Sequence, residues 1–125
     1  MDSETRHFAR LFRVELDDLI EEMKLLVERM DKRYANGEIT EYVHLENLAL
    51  FKRELDAFVK FSVIVDGIDP SLYKCTTDIE ADLLATSRDY VSRLEDPEAV
   101  YILLKRKIDK VGKFISSDDN AFTSQ

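Results

Sequence analysis

The sequence has very few of the residues that make tight turns or interrupt helices. Its 125 residues include only three glycines and two prolines. A β-sandwich of this length needs a turn signal about every ten residues, and glycine and proline supply many of those signals. The shortage argues against an all-β fold and predicts an all-α protein.

Cysteine and long apolar runs are scarce as well. The single cysteine, Cys75, cannot form a disulfide within one chain, which fits a reducing compartment. No apolar run approaches the roughly 20 residues that a membrane-spanning helix needs. The first four residues, Met1 to Glu4, lack the basic-then-apolar pattern of a secretion signal. We therefore expect a cytoplasmic protein.

Basic residues are outnumbered by acidic ones, and the formal net charge is −8. Nucleic-acid-binding surfaces need a basic stripe that displaces counterions from the phosphates, and anionic lipid surfaces likewise attract basic segments. We expect neither a nucleic-acid nor a membrane partner. Another protein, including a second copy of this chain, remains as the expected partner.

The residues that are present are arranged with helical periodicity. The first predicted helix runs from about residue 4 to Tyr34, and Asn36-Gly37 ends it. Its apolar residues form three adjacent columns at heptad spacing, a face wide enough to pack against at least two other helices. The columns are Phe12, Leu19 and Leu26; Leu16, Met23 and Met30; and Ile20, Val27 and Tyr34.

Three further helices follow from capping signals. Thr40 is expected to cap a second helix that ends at Asp66-Gly67, and Thr77 with Glu80 resembles a capping box that opens a third. Asp96-Pro97 would begin a fourth helix that ends near Ile115. Short connections favour antiparallel neighbours. We predict an antiparallel up-down bundle of about four helices, the first two long, as one domain over residues 1–115, with a flexible polar tail over residues 116–125.

The second helix carries more apolar residues than one core face requires. One column continues from His44 to Val65 and is expected to face the core. Successive residues of an α-helix are rotated by about 100° around its axis, which places another column roughly 90–120° away from the first. We predict that it binds a protein partner, most simply in a homodimer; its members are Val43, Leu50, Ala57, Ile64 and the neighbouring Phe61.

Two arginines near the start of the first helix are also candidates for partner contact. Arg6 and Arg10 lie where positive charge opposes the helix dipole, and the nearby sequence offers no obvious acid except Glu4. A partner would explain their presence.

The sequence lacks a glycine-rich phosphate loop, a nucleophile elbow and a recognisable cysteine–histidine pair. We therefore predict a non-enzymatic interaction module, namely an adaptor, a regulator or an assembly subunit, with no catalytic residue, metal or cofactor. The alternative is a small metal-dependent hydrolase or metal-binding bundle, since clustered carboxylates suit Mg²⁺ and histidine suits several metals. Its ligands would be His44 or the acids Asp17, Asp18, Glu21 and Glu22.

Overall fold

The computed structural model describes residues 2–123, and side chains over residues 4–117. The described chain forms four α-helices, and a short 3-10 turn at Pro70–Leu72 lies between the second and third. The all-α prediction is confirmed, and so is the prediction of four helices with a long first pair. The helices are α1 (Asp2–Ala35), α2 (Glu41–Asp66), α3 (Thr76–Arg93) and α4 (Glu98–Thr123).

The turn between α1 and α2 forms as its sequence predicts. Gly37 has a φ of 73°, a left-handed conformation that glycine adopts without a steric penalty. Thr40 lies immediately before α2, and its side chain accepts a hydrogen bond from the backbone amide of Val43 at 3.2 Å. This cap satisfies one of the amide groups that have no partner at a helix N-terminus.

The third helix begins earlier than predicted. Its N-cap is Cys75, which makes no side-chain capping hydrogen bond. The backbone amides of Asp78 and Ile79 both donate to the Cys75 carbonyl, at 3.2 and 3.4 Å. Thr77 therefore lies inside the first turn, and the prediction that it caps the helix is wrong.

The fourth helix is longer than predicted. Its buried residues, among the side chains described, lie between Val100 and Ile115, but the helix continues to Thr123. No glycine or proline occurs between Lys113 and Thr123 to stop it. The prediction that a polar tail replaces the helix after Ile115 is wrong for residues 116–123, and residues 124–125 lie outside the described residues.

Neighbouring helices run antiparallel, as predicted. Arg13 of α1 bonds to Asp66 at the end of α2 at 2.8 Å, while Asp31 of α1 bonds to His44 near the start of α2 at 2.8 Å. Arg88 of α3 forms two hydrogen bonds with Glu98 at the start of α4, at 2.6 and 2.9 Å.

The core takes side chains from all four helices. Four phenylalanines from α1 and α2 are completely buried in it and supply much of its volume. Large aromatic side chains contribute most to burial because the free energy gained is roughly proportional to the apolar area removed from water. The four are Phe8, Phe12, Phe58 and Phe61.

The hairpin of α1 and α2 extends beyond the layer formed by α3 and α4. Arg53 of α2 donates a hydrogen bond to the carbonyl of Glu95 in the α3–α4 turn, which places that turn beside the middle of α2. All six buried residues of α2 lie between Glu54 and Val65. Residues 24–53, all of them described, contain just one buried residue, Met30. We refer to residues 24–53 as the hairpin end.

Glu54 directly follows the hairpin end in the chain and is the first buried residue of α2, at 6% exposed. Burial raises the pKa of its carboxyl group above the ordinary value, because the charged form loses solvation. With the folded-state pKa raised, stability is lost as the pH rises through that value. The ionised carboxylate therefore weakens the fold at neutral pH.

We expect Glu54→Gln to raise the free energy of unfolding at pH 7 by about 0.5–1 kcal/mol. The advantage should shrink as the pH falls toward the ordinary glutamate pKa of 4.5, because the native residue then becomes neutral too. Urea denaturation at several pH values measures this, with exposed Glu46→Gln as the control. An advantage independent of pH would contradict the explanation.

Candidate interaction surface on the second helix

The fold leaves part of the partner-binding column predicted on α2 exposed and buries the rest. Val43, Leu50 and Ile64 are 39%, 43% and 37% exposed, whereas Ala57 is 2% exposed and Phe61 is completely buried. Ala57 and Phe61 belong to the core of their own chain. The prediction that these two residues face a partner is wrong.

Tyr90 of α3 contacts this part of the column. The Tyr90 hydroxyl donates a hydrogen bond to the carbonyl of Ala57 at 3.3 Å, and the Tyr90 ring meets Phe61 edge to face at 5.4 Å. Burial raises the pKa of the Tyr90 hydroxyl to about 12. Because α3 ends at Arg93, beside the middle of α2, it does not reach Val43 or Leu50.

Arg6 and Arg10 are exposed, as a partner contact requires. They line a shallow groove together with Arg13 and Asp66, and Arg13 bonds to Asp66 at 2.8 Å. Asp69, in the connection after α2, has a lowered pKa, chiefly through hydrogen bonds from Ser71 and in part through the charge of Arg6. Acids far away in sequence thus offset part of the positive charge of these arginines. The contact of Arg6 and Arg10 with a partner stays a prediction.

A different exposed face of α2 was missed by the sequence reasoning. Three of its apolar residues are among the most exposed in the helix: Tyr42 at 73%, Val63 at 69% and Leu45 at 56%. They lie on the side of α2 turned away from the core, in a line that two charged residues interrupt. We call this line the outer stripe; it consists of Tyr42, Leu45, Ala49, Lys52, Asp56, Val59 and Val63, all exposed.

The spacing of the outer stripe was visible in the sequence. Its members are separated alternately by three and four residues, the spacing of a coiled-coil seam. The pattern is weak as a hydrophobic signal because Lys52 and Asp56 occupy its centre. A search for apolar columns therefore favours the stronger column that contains Phe61.

His44 has ordinary structural partners inside the hairpin end. Its ring stacks on Tyr34, with ring centroids 4.4 Å apart, and its Nε2 atom lies 2.8 Å from Oδ1 of Asp31. The side chain is 12% exposed. These contacts join the end of α1 to the start of α2 and account for the position of the histidine without a ligand.

The acids proposed as metal ligands on α1 are engaged in part by neighbouring cations. Asp17 pairs with Arg13, and Glu21 lies 3.3 Å from Lys24. Within the described part of the chain, no group of three or more His, Cys, Asp or Glu side chains is placed to hold a metal ion. The structure therefore adds no observation in favour of the metal-binding alternative.

Two lysines of α4 meet an acid of α1. Nζ of Lys110 lies 2.6 and 3.0 Å from the two carboxylate oxygens of Glu15, and Lys107 lies 3.6 Å from the same group. The hydrogen bond from Lys110 is the main reason that the pKa of Glu15 is lowered. These contacts join the first and last helices.

Comparison with known proteins gives no further information about this surface. No protein-family model, curated protein or solved structure shows significant similarity to the chain. Among the described residues, no helix has the length and apolar character needed to cross a membrane.

Proposed function

We propose that this chain is a non-enzymatic protein–protein interaction module that self-associates through α2. The observation that supports the proposal is the distribution of exposed apolar side chains. Of the fourteen large apolar residues that are exposed among those described, seven lie on α2. They are Tyr42, Val43, Leu45, Leu50, Val59, Val63 and Ile64.

Single exposed apolar side chains are common on soluble proteins and need no explanation. Their concentration on one helix does need an explanation, and binding is one, because an amphipathic helix uses an apolar face to bind another helix. Covering apolar surface contributes roughly 25 cal/mol for each Å² removed from water. Each of the two exposed faces of α2, the outer stripe and the one with Val43, Leu50 and Ile64, supplies apolar surface from which a partner would gain this free energy.

Sedimentation equilibrium over about two decades of protein concentration tests the proposal. We expect the average mass to rise from that of one chain, 14.6 kDa, toward that of a dimer. A mass that stays at 14.6 kDa at every concentration would contradict self-association.

Serine substitutions assign the association to a helix. Leu50→Ser and Val63→Ser each remove an exposed apolar group from α2, and Ile102→Ser removes one that is 50% exposed on α4. We expect at least one α2 substitution to weaken association by about tenfold or more. The α4 substitution should leave association unchanged. The opposite result would place the interface on α4 and overturn the role of α2.

A further inference from the structure

The outer stripe has the geometry of a helix-pairing seam. Its alternating spacing of three and four residues corresponds to the a and d positions of a heptad. The stripe continues from Tyr42 to Val63, a distance of about 31 Å at 1.5 Å per residue. All of its side chains are exposed, so another helix would contact them without any change in the packing of the four helices.

The stripe is complementary to itself when two copies run in opposite directions. The twofold axis that relates the two copies passes beside residue 54 of each α2. A stripe position before residue 54 in one copy then lies opposite the position equally far after residue 54 in the other. Leu45 then faces Val63 of the second copy, and Ala49 faces Val59. Each contact joins an a position to a d position, as coiled-coil packing between antiparallel helices requires.

The two charged positions of the stripe also match in this arrangement. Lys52 faces Asp56 of the second copy, and the same pair forms again on the other side of the twofold axis. A parallel arrangement would instead place lysine against lysine and aspartate against aspartate, which is repulsive. The charges therefore favour the antiparallel orientation.

Both charged groups are available for this contact. Among the described residues Lys52 has no ion-pair partner in its own chain. Asp56 bonds to Lys60 through Oδ2 at 2.9 Å, and a carboxylate has a second oxygen that can accept from another lysine.

We infer that a second copy of this chain binds antiparallel along the outer stripe of α2, with Lys52 of each copy paired to Asp56 of the other. This inference rests on the proposed function, because it specifies the partner and the contact surface of the same helix. It assigns the association to the outer stripe and not to the exposed remainder of the column that contains Val43 and Leu50.

Charge reversal tests the pairing. Lys52→Asp and Asp56→Lys should each weaken self-association by about tenfold or more, because each creates two like-charge contacts in the dimer. Lys113→Asp, an identical substitution at an exposed position of α4, is the matched control and should have little effect. Circular dichroism melts at dilute concentration should show that all three variants remain folded.

Recombining the reversed charges provides a more specific test. An equimolar mixture of the Lys52→Asp and Asp56→Lys chains should form a heterodimer, since every contact again joins opposite charges. The double variant carrying both substitutions should form a homodimer again. Failure of both combinations to restore association would overturn the pairing of Lys52 with Asp56.

Disulfide trapping separates the orientation from the proposed function. In a Cys75→Ser background, which removes the exposed native thiol, chains carrying Ala49→Cys and Val59→Cys should cross-link when mixed. Neither chain should cross-link with itself, because its two thiols would lie about 15 Å or more apart along the axis. A protein that dimerises without this cross-link contradicts the inference and leaves the proposed function standing. A protein that stays monomeric contradicts both.

Discussion

Replacing Phe61 with alanine should lower the free energy of unfolding by about 3–5 kcal/mol, the range expected when an aromatic side chain is removed from a core. Phe61 is completely buried and lies between two other rings. Its centroid is 6.4 Å from that of Phe12 and 5.4 Å from that of Tyr90, both in edge-to-face geometry. The substitution therefore creates a cavity where α1, α2 and α3 meet.

Urea denaturation at dilute concentration measures this loss, and Val63→Ala is the control. Val63 lies two residues further along the same helix but is 69% exposed, so its truncation should change the free energy of unfolding by less than about 0.5 kcal/mol. If Phe61→Ala affected mainly self-association and left the stability of the monomer intact, Phe61 would belong to an interface and the described packing against α3 would be wrong.

Enlarging Ala57 to leucine should also destabilise the fold, by about 1–3 kcal/mol. Ala57 is 2% exposed, and its carbonyl accepts the hydrogen bond from the Tyr90 hydroxyl. Ala57 belongs to the buried core, so the added carbon atoms of leucine would force neighbouring side chains or helices to shift.

The matched control is Ala49→Leu, which makes the same change at an exposed position of α2. Its side chain would point to solvent in the monomer, so we expect almost no loss of stability. Denaturation below the concentration at which the chains associate separates this effect from any gain in dimer stability. Equal tolerance of leucine at both positions would contradict the burial of Ala57 in the core.

The sequence predicted the two sides of α2 with unequal success. Most of its core column was identified correctly, because Phe51, Phe58 and Val65 recur at seven-residue intervals and pack in or against the core, as such a helix face must. His44, the first member of the column, instead stacks on Tyr34 in the hairpin end. The neighbouring column was identified as surplus apolar surface, which holds for Val43 and Leu50 but not for Ala57 and Phe61. Periodicity gives the direction in which a side chain points, but it does not give the length of the helix that lies opposite.

The arginines of α1 illustrate the same limit of local pattern. Arg13 pairs with Asp17, four residues along the same helix, a contact that local spacing can anticipate. Its second partner, Asp66, lies 53 residues away, and no local spacing could reveal it. Arg6 and Arg10 therefore lie near acids at and just after the end of α2, namely Asp66 and Asp69.

The sequence alone determined that this chain is helical, where its first two helices meet, and which face of the first helix enters the core. These features depend on turn residues, caps and a period of 3.6 residues, all of them local properties. The tertiary structure alone decided where α3 stops beside α2, since that depends on how two separate hairpins align. This alignment buries Ala57 and Phe61 and leaves the hairpin end and the outer stripe exposed to solvent.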